Sequence, residues 1–257
     1  MTKNREQSRR SIIKTDSEWA DPLLYKDVSL QTDFLQDTKH PHRSLLLERI
    51  SSHAPFSRLL EIGCGCGPNL YLLAKQYPEA ELIGIDINPT AVEKGNEFFQ
   101  KQGLNNVHLI TGKSQNLSRF KEKYFDIVLT DAVLIYVTPQ DIKSVIQEMM
   151  RVGNILILNE WQCFDNFRTR CIDMYYCFKL KYEAMKFSTK KISLLHDLFS
   201  SKSASDGLYL GHWARDYISL ASQFVPRKNI TITKLQNQHW NDANWQKWGA
   251  IVEVKIR

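Results

Sequence analysis

The first ten residues, Met1 to Arg10, contain no apolar stretch of the kind a secretory signal needs. No later segment approaches the ~20 apolar residues that cross a bilayer. These absences argue against export and membrane insertion, and a cytoplasmic protein is the expectation. Cysteine is also scarce: five residues, an odd number at irregular spacings, do not form a disulfide framework and suit a reducing compartment. Cys64 and Cys66 make a Cys-x-Cys pair, but zinc pairs use wider spacing and a second pair, so no metal is expected there. Both read as small packing residues, and Cys163, Cys171 and Cys177 as buried small hydrophobes. Internal repeats are missing, as are a separate RNA-binding module and an Asn-Pro-Pro-Tyr-type motif.

Acidic residues are the minority, 28 against 34 Lys and Arg, which leaves a net charge of +6. An excess of this sign suits a polyanionic partner, because Lys and Arg neutralise phosphates. Its distribution points elsewhere. The basic residues gather in the N-terminal tail and in Lys179 to Lys191, where Lys181, Lys186, Lys190 and Lys191 alternate with apolar positions as on the wet side of a helix. A solvated face is favoured over an RNA groove. With 257 residues, 43% of them hydrophobic, the chain suits one elaborated domain with one substantial core.

The most informative segment is Leu59-Leu60-Glu61-Ile62-Gly63-Cys64-Gly65-Cys66-Gly67, followed by Pro68-Asn69-Leu70. It reads as an apolar strand, a glycine-paved turn and a helix start, in which a ligand can approach bare backbone and helix-start amides. A tight structural turn would also explain the glycines alone. The next strand, Glu81-Leu82-Ile83-Gly84-Ile85-Asp86-Ile87, ends in an acid where α/β folds hold ribose hydroxyls. With the helix Asn69 to Tyr77 between them, the two strands make a βαβ unit suited to a ribose-containing cofactor.

Glu61-Ile62-Gly63-Cys64-Gly65-Cys66-Gly67 together with Asp86-Ile87-Asn88-Pro89 resembles the first two motifs of class I S-adenosylmethionine-dependent methyltransferases. The resemblance runs from Leu59 to Glu160, through Gly112-Lys113-Ser114-Gln115, Tyr124 to Asp131 and Val133-Leu134-Ile135-Tyr136-Val137. It implies S-adenosylmethionine as cofactor, with Gly63, Gly65 and Gly67 near its amino-acid portion and Asp86 on its ribose. Glu61, Ile87 and Asp131 complete the expected cofactor set. Lys113 stands where the family usually has an Asp that meets adenine, so Ser114 or Gln115 would supply that contact.

The remaining chain fits a Rossmann-like, seven-stranded, mostly parallel α/β sheet with helices on both faces. Residues 1–16 read as a disordered tail and 17–57 as an N-terminal cap, within a single methyltransferase domain over 17–257. Pro41 to Ile50 reads as a helix, with His40 and His42 as surface turn and capping residues at its start, though this position can also border a substrate pocket. Further strands are expected at Val107–Thr111, Phe125–Thr130 and Asn154–Glu160, with helices at Pro89–Gln102 and Pro139–Arg151. Residues 162–211 form a helical insertion, read from the spacing of Phe164, Phe167, Cys171, Met174, Tyr175 and Phe178, with Ser200 to Gly207 as its hinge. It is either a substrate lid or extra core and an oligomer contact, a homodimer being one option. His212 to Tyr217 is expected to open the returning helix. Asn229–Leu235 and Gly249–Ile256 are expected to end the sheet as a hairpin, with Trp240, Trp245 and Trp248 as packing.

In open α/β sheets ligands gather at the carboxyl ends of the strands. That rule selects Asp131, Glu160 and Tyr136 as catalytic candidates, and Trp161, Asp165, His212 and Trp213 as substrate-binding ones. Asp131 has a second reading as a helix N-cap. Glu160 ends a strand so apolar that burying it unpaired would be costly. Two carboxylates facing aromatics favour an amine or guanidine acceptor, so the leading reading is small-molecule N-methylation, with Tyr136, His212 or water taking the proton. O-methylation of a hydroxylated metabolite is the nearest variant. An RNA methyltransferase, a nicotinamide-dependent oxidoreductase and a non-catalytic cofactor-binding protein are the competing readings.

Overall fold

The computed structural model describes residues 15–30, 32–163, 207–209 and 212–256. Most of the proposed tail, and nearly all of the proposed insertion with its hinge and Asp165, lie outside these residues. The core is a seven-stranded sheet in which β1 (Arg58–Ile62), β2 (Glu81–Asp86), β3 (Val107–Thr111), β4 (Phe125–Asp131) and β5 (Gly153–Trp161) run parallel. A short hairpin, β6 (Gly207–Tyr209) and β7 (His212–Ala214), stands apart from it. β8 (Ile230–Lys234) and β9 (Gly249–Lys255) close the main sheet antiparallel, in the spatial order β3-β2-β1-β4-β5-β9-β8.

The central strands are buried on both faces because helices cover both. On one side α3 (Pro41–Ser51), α4 (Pro68–Gln76), α5 (Pro89–Lys101) and α8 (Ala243–Trp248) enclose Leu59, Ile127, Leu129, Ile157 and Ile251. On the other, α6 (Ile142–Val152) and α7 (Tyr217–Ala221) enclose Leu60, Ile62, Val128, Leu156, Leu158 and Val252. Consecutive strand residues therefore alternate between two apolar layers, which is why these strands read as continuous hydrophobic runs. The sequence order reverses between β1 and β4, so the crevice at their carboxyl ends is the topological switch point.

One predicted element changes kind. His212 to Ala214 forms β7 and pairs with β6, Arg215 bridges to Gln162 beside β5, and the helix begins only at Tyr217. Asp216 sets that start, accepting the Ser219 amide at 3.0 Å as an N-cap.

Ahead of the sheet, α1 (Asp16–Trp19), a 3-10 turn (Pro22–Tyr25) and α2 (Asp33–Asp37) cross the carboxyl-end side of β2. Two side chains of the α5 region hold this segment by its backbone. Asn88 donates to the carbonyls of Trp19 and Asp21 at 2.9 and 2.8 Å, while its own oxygen caps α5 through the Ala91 amide. Lys94 Nζ donates to the carbonyls of Tyr25, Lys26 and Val28. At the opposite edge, buried Glu253 of β9 binds Arg49 and His53, tying α3 and the turn after it to the sheet.

Candidate active site

The glycine turn leaves β1 with three residues at positive φ, Gly63 at 70°, Gly65 at 55° and Gly67 at 82°. The left-handed region is open to glycine and strained for other residues. The glycines differ in what they face. A Cβ on Gly63 would lie 2.3 Å from Val133 Cγ2, and one on Gly67 would lie 2.7 Å from Phe99, so these two are required by packing. At Gly65 the nearest neighbour would be the Tyr25 hydroxyl at 3.2 Å, a side chain of the N-terminal cap rather than of the core. Gly65 is thus the position where the turn turns bare backbone outward.

Asp86 closes the turn from β2. Its carboxylate accepts the Gly65 amide at 2.7 Å and the Asn88 amide at 2.8 Å. Burial raises its pKa and these amide bonds act against that rise. Beside it a cavity of about 560 Å³ is bounded by Ile87, Thr111, Gly112 and Lys113 on the sheet side and by Thr15, Asp16, Ser17 and Ala20 of the cap. Lys113, which breaks the family pattern, pairs with Asp16 at 2.8 Å across the rim of this cavity. Ser114 and Gln115 follow it and touch each other at 3.3 Å. The bare backbone at Gly65, the adjacent carboxylate and a cavity large enough for a purine are what an adenosine-bearing cofactor requires.

Glu61 is not on that surface. It is 2% exposed at the end of β1, where Asn69 of α4 donates to Oε1 at 2.7 Å and Oε2 has no partner. Burial pushes its carboxyl up to about 8, a protonated group at neutral pH.

Across the switch point, Asp131 ends β4 at the centre of a polar network. Its Oδ2 accepts from His42 Nε2 at 2.9 Å, Arg43 at 3.2 Å and Asn69 at 3.0 Å, and Oδ1 accepts from Asn159 at 2.7 Å. Burial opposes the charge, but His42, Arg43 and Asn69 outweigh it and hold the carboxyl below the usual carboxylate range. The N-cap reading of Asp131 is therefore overturned, since its oxygens are taken by side chains and the following 3-10 turn (Leu134–Tyr136) is capped by Val133 without a side-chain bond. The surface reading of His42 falls with it. The ring is 3% exposed, and its Nδ1 meets His40 Nδ1 at 2.5 Å.

Glu160 also takes a different role from the one its position suggests. It is fully buried, and its two oxygens accept the backbone amides of Val133, Leu134 and Ile135 at 3.0 to 3.2 Å. Burial pushes its carboxyl up to about 7, against the pull of these amides. Arg215, fully buried as well, donates to the carbonyls of Leu134 and Val137 at the other end of the same turn. Together they grip the 133–137 turn by its main chain and present Tyr136 from it. A costly buried carboxylate is thus explained by backbone partners and not by a ligand.

Tyr136 stands between Trp19 of the cap, at 4.5 Å between ring centroids, and His212, whose Nε2 is 3.2 Å from its hydroxyl. The His212 ring lies 5.0 Å from Trp161. A second cavity of about 270 Å³ is lined by Trp161, His212, Trp240, Asp242, Asn244 and Trp245. Trp240 stacks on Trp245 at 3.8 Å and on His42 at 4.2 Å, which joins this cavity to the Asp131 network. Trp240 and Trp245 are therefore walls of a pocket as well as packing. Trp213 is buried away from these linings, with the Arg215 guanidinium 5.5 Å from its ring.

Of the residues selected by sequence, Gly63, Gly65, Gly67, Asp86 and Ile87 meet at one cradle, and Tyr136, His212 and Trp161 meet at one wall. Those it missed are His42, Arg43, Asn69, Asn159, Arg215, Trp240 and Asp242. The one local signal was His40-Pro41-His42-Arg43, a proline-started helix with two imidazoles and a guanidinium at its start.

Residues 59–154 match the family model described as "Methyltransferase domain". The chain is 32% identical over 81 residues to a tRNA (guanine-N(7)-)-methyltransferase of Synechococcus, covering 32% of each protein. In fold it resembles the PH0226 protein from Pyrococcus horikoshii, with TM-score 0.56 and 16% identity over 91% of this chain and 99% of that one. It also resembles magnesium protoporphyrin IX methyltransferase from Synechocystis, solved with bound SAH, with TM-score 0.52 and 16% identity over 90% of each chain. The chain spans less than half the length of the first curated relatives it matches, 43%, 20% and 19% of them. Residues 59–154 thus match a methyltransferase domain, and the strand order and the glycine turn with its following acid are those of the class I S-adenosylmethionine-dependent methyltransferase fold.

Proposed function

We propose that the protein transfers a methyl group from S-adenosylmethionine to a nitrogen of a small amine or guanidine. The observation that carries the reading is the pairing of two cavities across one switch point, one at Ile87, Thr111 and Gly112 beside the Gly65–Asp86 turn and an aromatic pocket at Trp161, Trp240 and Trp245. In this reading Gly63, Gly65, Gly67, Asp86 and Ile87 hold the cofactor, with Ser114 or Gln115 at the adenine. Bound there, the cofactor supplies an electrophilic methyl group whose departure leaves a neutral thioether. The chain's own part is to orient the acceptor, exclude water and take up a proton.

The support for a nitrogen acceptor rests on different residues from those first selected. Asp131 and Glu160 are occupied by protein donors, so neither is counted as a contact to a cationic acceptor. Asp242, whose Oδ1 caps α8 through the Asn244 and Trp245 amides and whose Oδ2 is not used by them, takes that place with the stacked Trp240 and Trp245, because a carboxylate beside indole faces favours a cation or a flat hydrogen-bond donor. Tyr136 and His212 border the wall between cradle and pocket.

Calorimetric titration with S-adenosylmethionine should give binding in the wild type and none in Asp86→Ala; equal affinity in both would sink the reading. Labelled cofactor offered with amines, phenols and carboxylic acids, read by product mass, should yield methylated amines. Product from phenols alone would shift the assignment to O-methylation. The match to a tRNA methyltransferase supports an RNA acceptor as the second reading. Methyl transfer to mixed tRNA, falling steeply with salt, would decide for it.

A further inference from the structure

We infer that His40 is the residue that takes the acceptor's proton, with His42 and Asp131 as positioning residues behind it. The inference rests on the methyl-transfer reading above and on the linear contact Asp131–His42–His40. Asp131 Oδ2 accepts from His42 Nε2 at 2.9 Å, and the two Nδ1 atoms of His42 and His40 face each other at 2.5 Å. A carboxylate only accepts, so His42 carries its hydrogen on Nε2. In a neutral ring Nδ1 is then the acceptor, and the hydrogen between the rings belongs to His40 Nδ1. This leaves His40 Nε2 with an open lone pair.

One buried carboxylate thereby sets the tautomer of two successive imidazoles and points the basic nitrogen away from itself. Neither ring is free to turn. Trp240 stacks on His42 at 4.2 Å and lies 4.8 Å from His40, and α3 begins at Pro41 between them. His40 is half-buried, and its neighbour Trp240 lines the aromatic pocket. Burial, His42 and Arg43 lower its pKa while Asp37 and Asp131 act against them, so the ring is neutral and ready to accept.

The step balances within these groups. The acceptor nitrogen's lone pair forms the new bond to the methyl carbon, and the pair of the broken C–S bond stays on sulfur. The N–H proton moves to His40 Nε2. The resulting positive charge is shared with His42 when the hydrogen between the rings shifts to its Nδ1, which brings the charge against the Asp131 carboxylate. A fixed anion at the end of the chain thus stabilises charge that develops at its exposed end.

The test reads the tautomers directly, independently of turnover. Full-length protein labelled with 15N-histidine is examined at about pH 8, above the ordinary imidazole range. The expected result is His40 protonated at Nδ1 and His42 at Nε2, with His40 reverting to a mixture in Asp131→Asn and in His42→Asn, the second variant serving if the first does not fold. His40 protonated at Nε2 in the wild type overturns the inference. On the same samples, calorimetry with S-adenosylmethionine separates the two readings: failure to bind defeats the methyltransferase assignment and leaves the tautomer result standing. With a panel of small amines and labelled cofactor, His40→Gln should lower kcat ~100-fold or more and remove the acid limb of its pH profile, with cofactor affinity unchanged. Unchanged kcat with the limb intact also overturns it.

Discussion

The two sides of the crevice are built from different materials. The cradle is made of main chain, three glycines and the amides of Gly65 and Asn88 converging on Asp86, all within residues 63–88. The facing wall is made of side chains drawn from α3, β4, β5, β7 and the stretch before α8, with His42 and Asp131 89 residues apart in sequence and His42 and Trp240 farther still. A backbone cradle recognises what is constant in a ligand and leaves little room for variation. A wall of side chains can be rebuilt residue by residue. The contrast assigns the invariant half of the chemistry to one side and the selective half to the other.

Substitutions should separate the two sides, the largest effect being at the cradle. Gly63→Ala places a Cβ at positive φ and 2.3 Å from Val133 Cγ2. Strain of about 1–2 kcal/mol adds to overpacking of about 1–3 kcal/mol, so cofactor affinity and thermal stability should fall together. Adding Val133→Ala should restore only the packing part. Recovery of both in the double variant would show that the turn's conformation is not what binds. On the wall side, Arg215→Met orphans the carbonyl of Val137, at about 1–3 kcal/mol, and leaves that of Leu134 with only the Val137 amide. A lowered urea midpoint with unaltered cofactor affinity is expected, and a parallel loss of affinity would break the division.

Trp240→Ala removes stacking on both Trp245 and His42, worth about 0.5–1.5 kcal/mol per aromatic pair. It should raise the acceptor's KM several-fold while calorimetry with S-adenosylmethionine stays the same; a changed cofactor affinity would mean the pockets are coupled. The smallest effect is at Glu61. Its folded pKa of about 8 lies above its ordinary 4.5, so the native state binds the extra proton. Its contribution to stability is full below about pH 4.5 and is lost as pH rises through 8. Glu61→Gln should be nearly neutral at pH 6 and flatten the decline in Tm between pH 6 and 8.5. A wild type that gains stability across that interval would contradict a protonated Glu61.

The sheet and the cradle were legible because each is encoded locally. Apolar runs mark β1 and β4, with a glycine turn after the first, and an acid two residues before Asn88-Pro89 marks the end of β2. Even the final hairpin followed from two β-rich runs. The wall was not legible for the converse reason. Nothing near Asp131 in sequence announces His42, and nothing near Trp240 announces either. Glu160 shows the limit most clearly. That burying it unpaired would be costly was sound physics, but the partners were main-chain amides, which carry no signature in a sequence. The segment at His212 was misjudged because three residues of strand, paired with a short partner, look the same as a first helical turn.

The grip on the 133–137 turn bears on how such a protein changes over generations. Glu160 and Arg215 hold it entirely through amides and carbonyls. Its most prominent side chain, Tyr136, takes no part in those bonds, its own contacts being with Trp19 and His212. A mutation there alters what the crevice presents while those main-chain bonds stay in place. New acceptors can be explored at this position while the turn keeps its main-chain anchors.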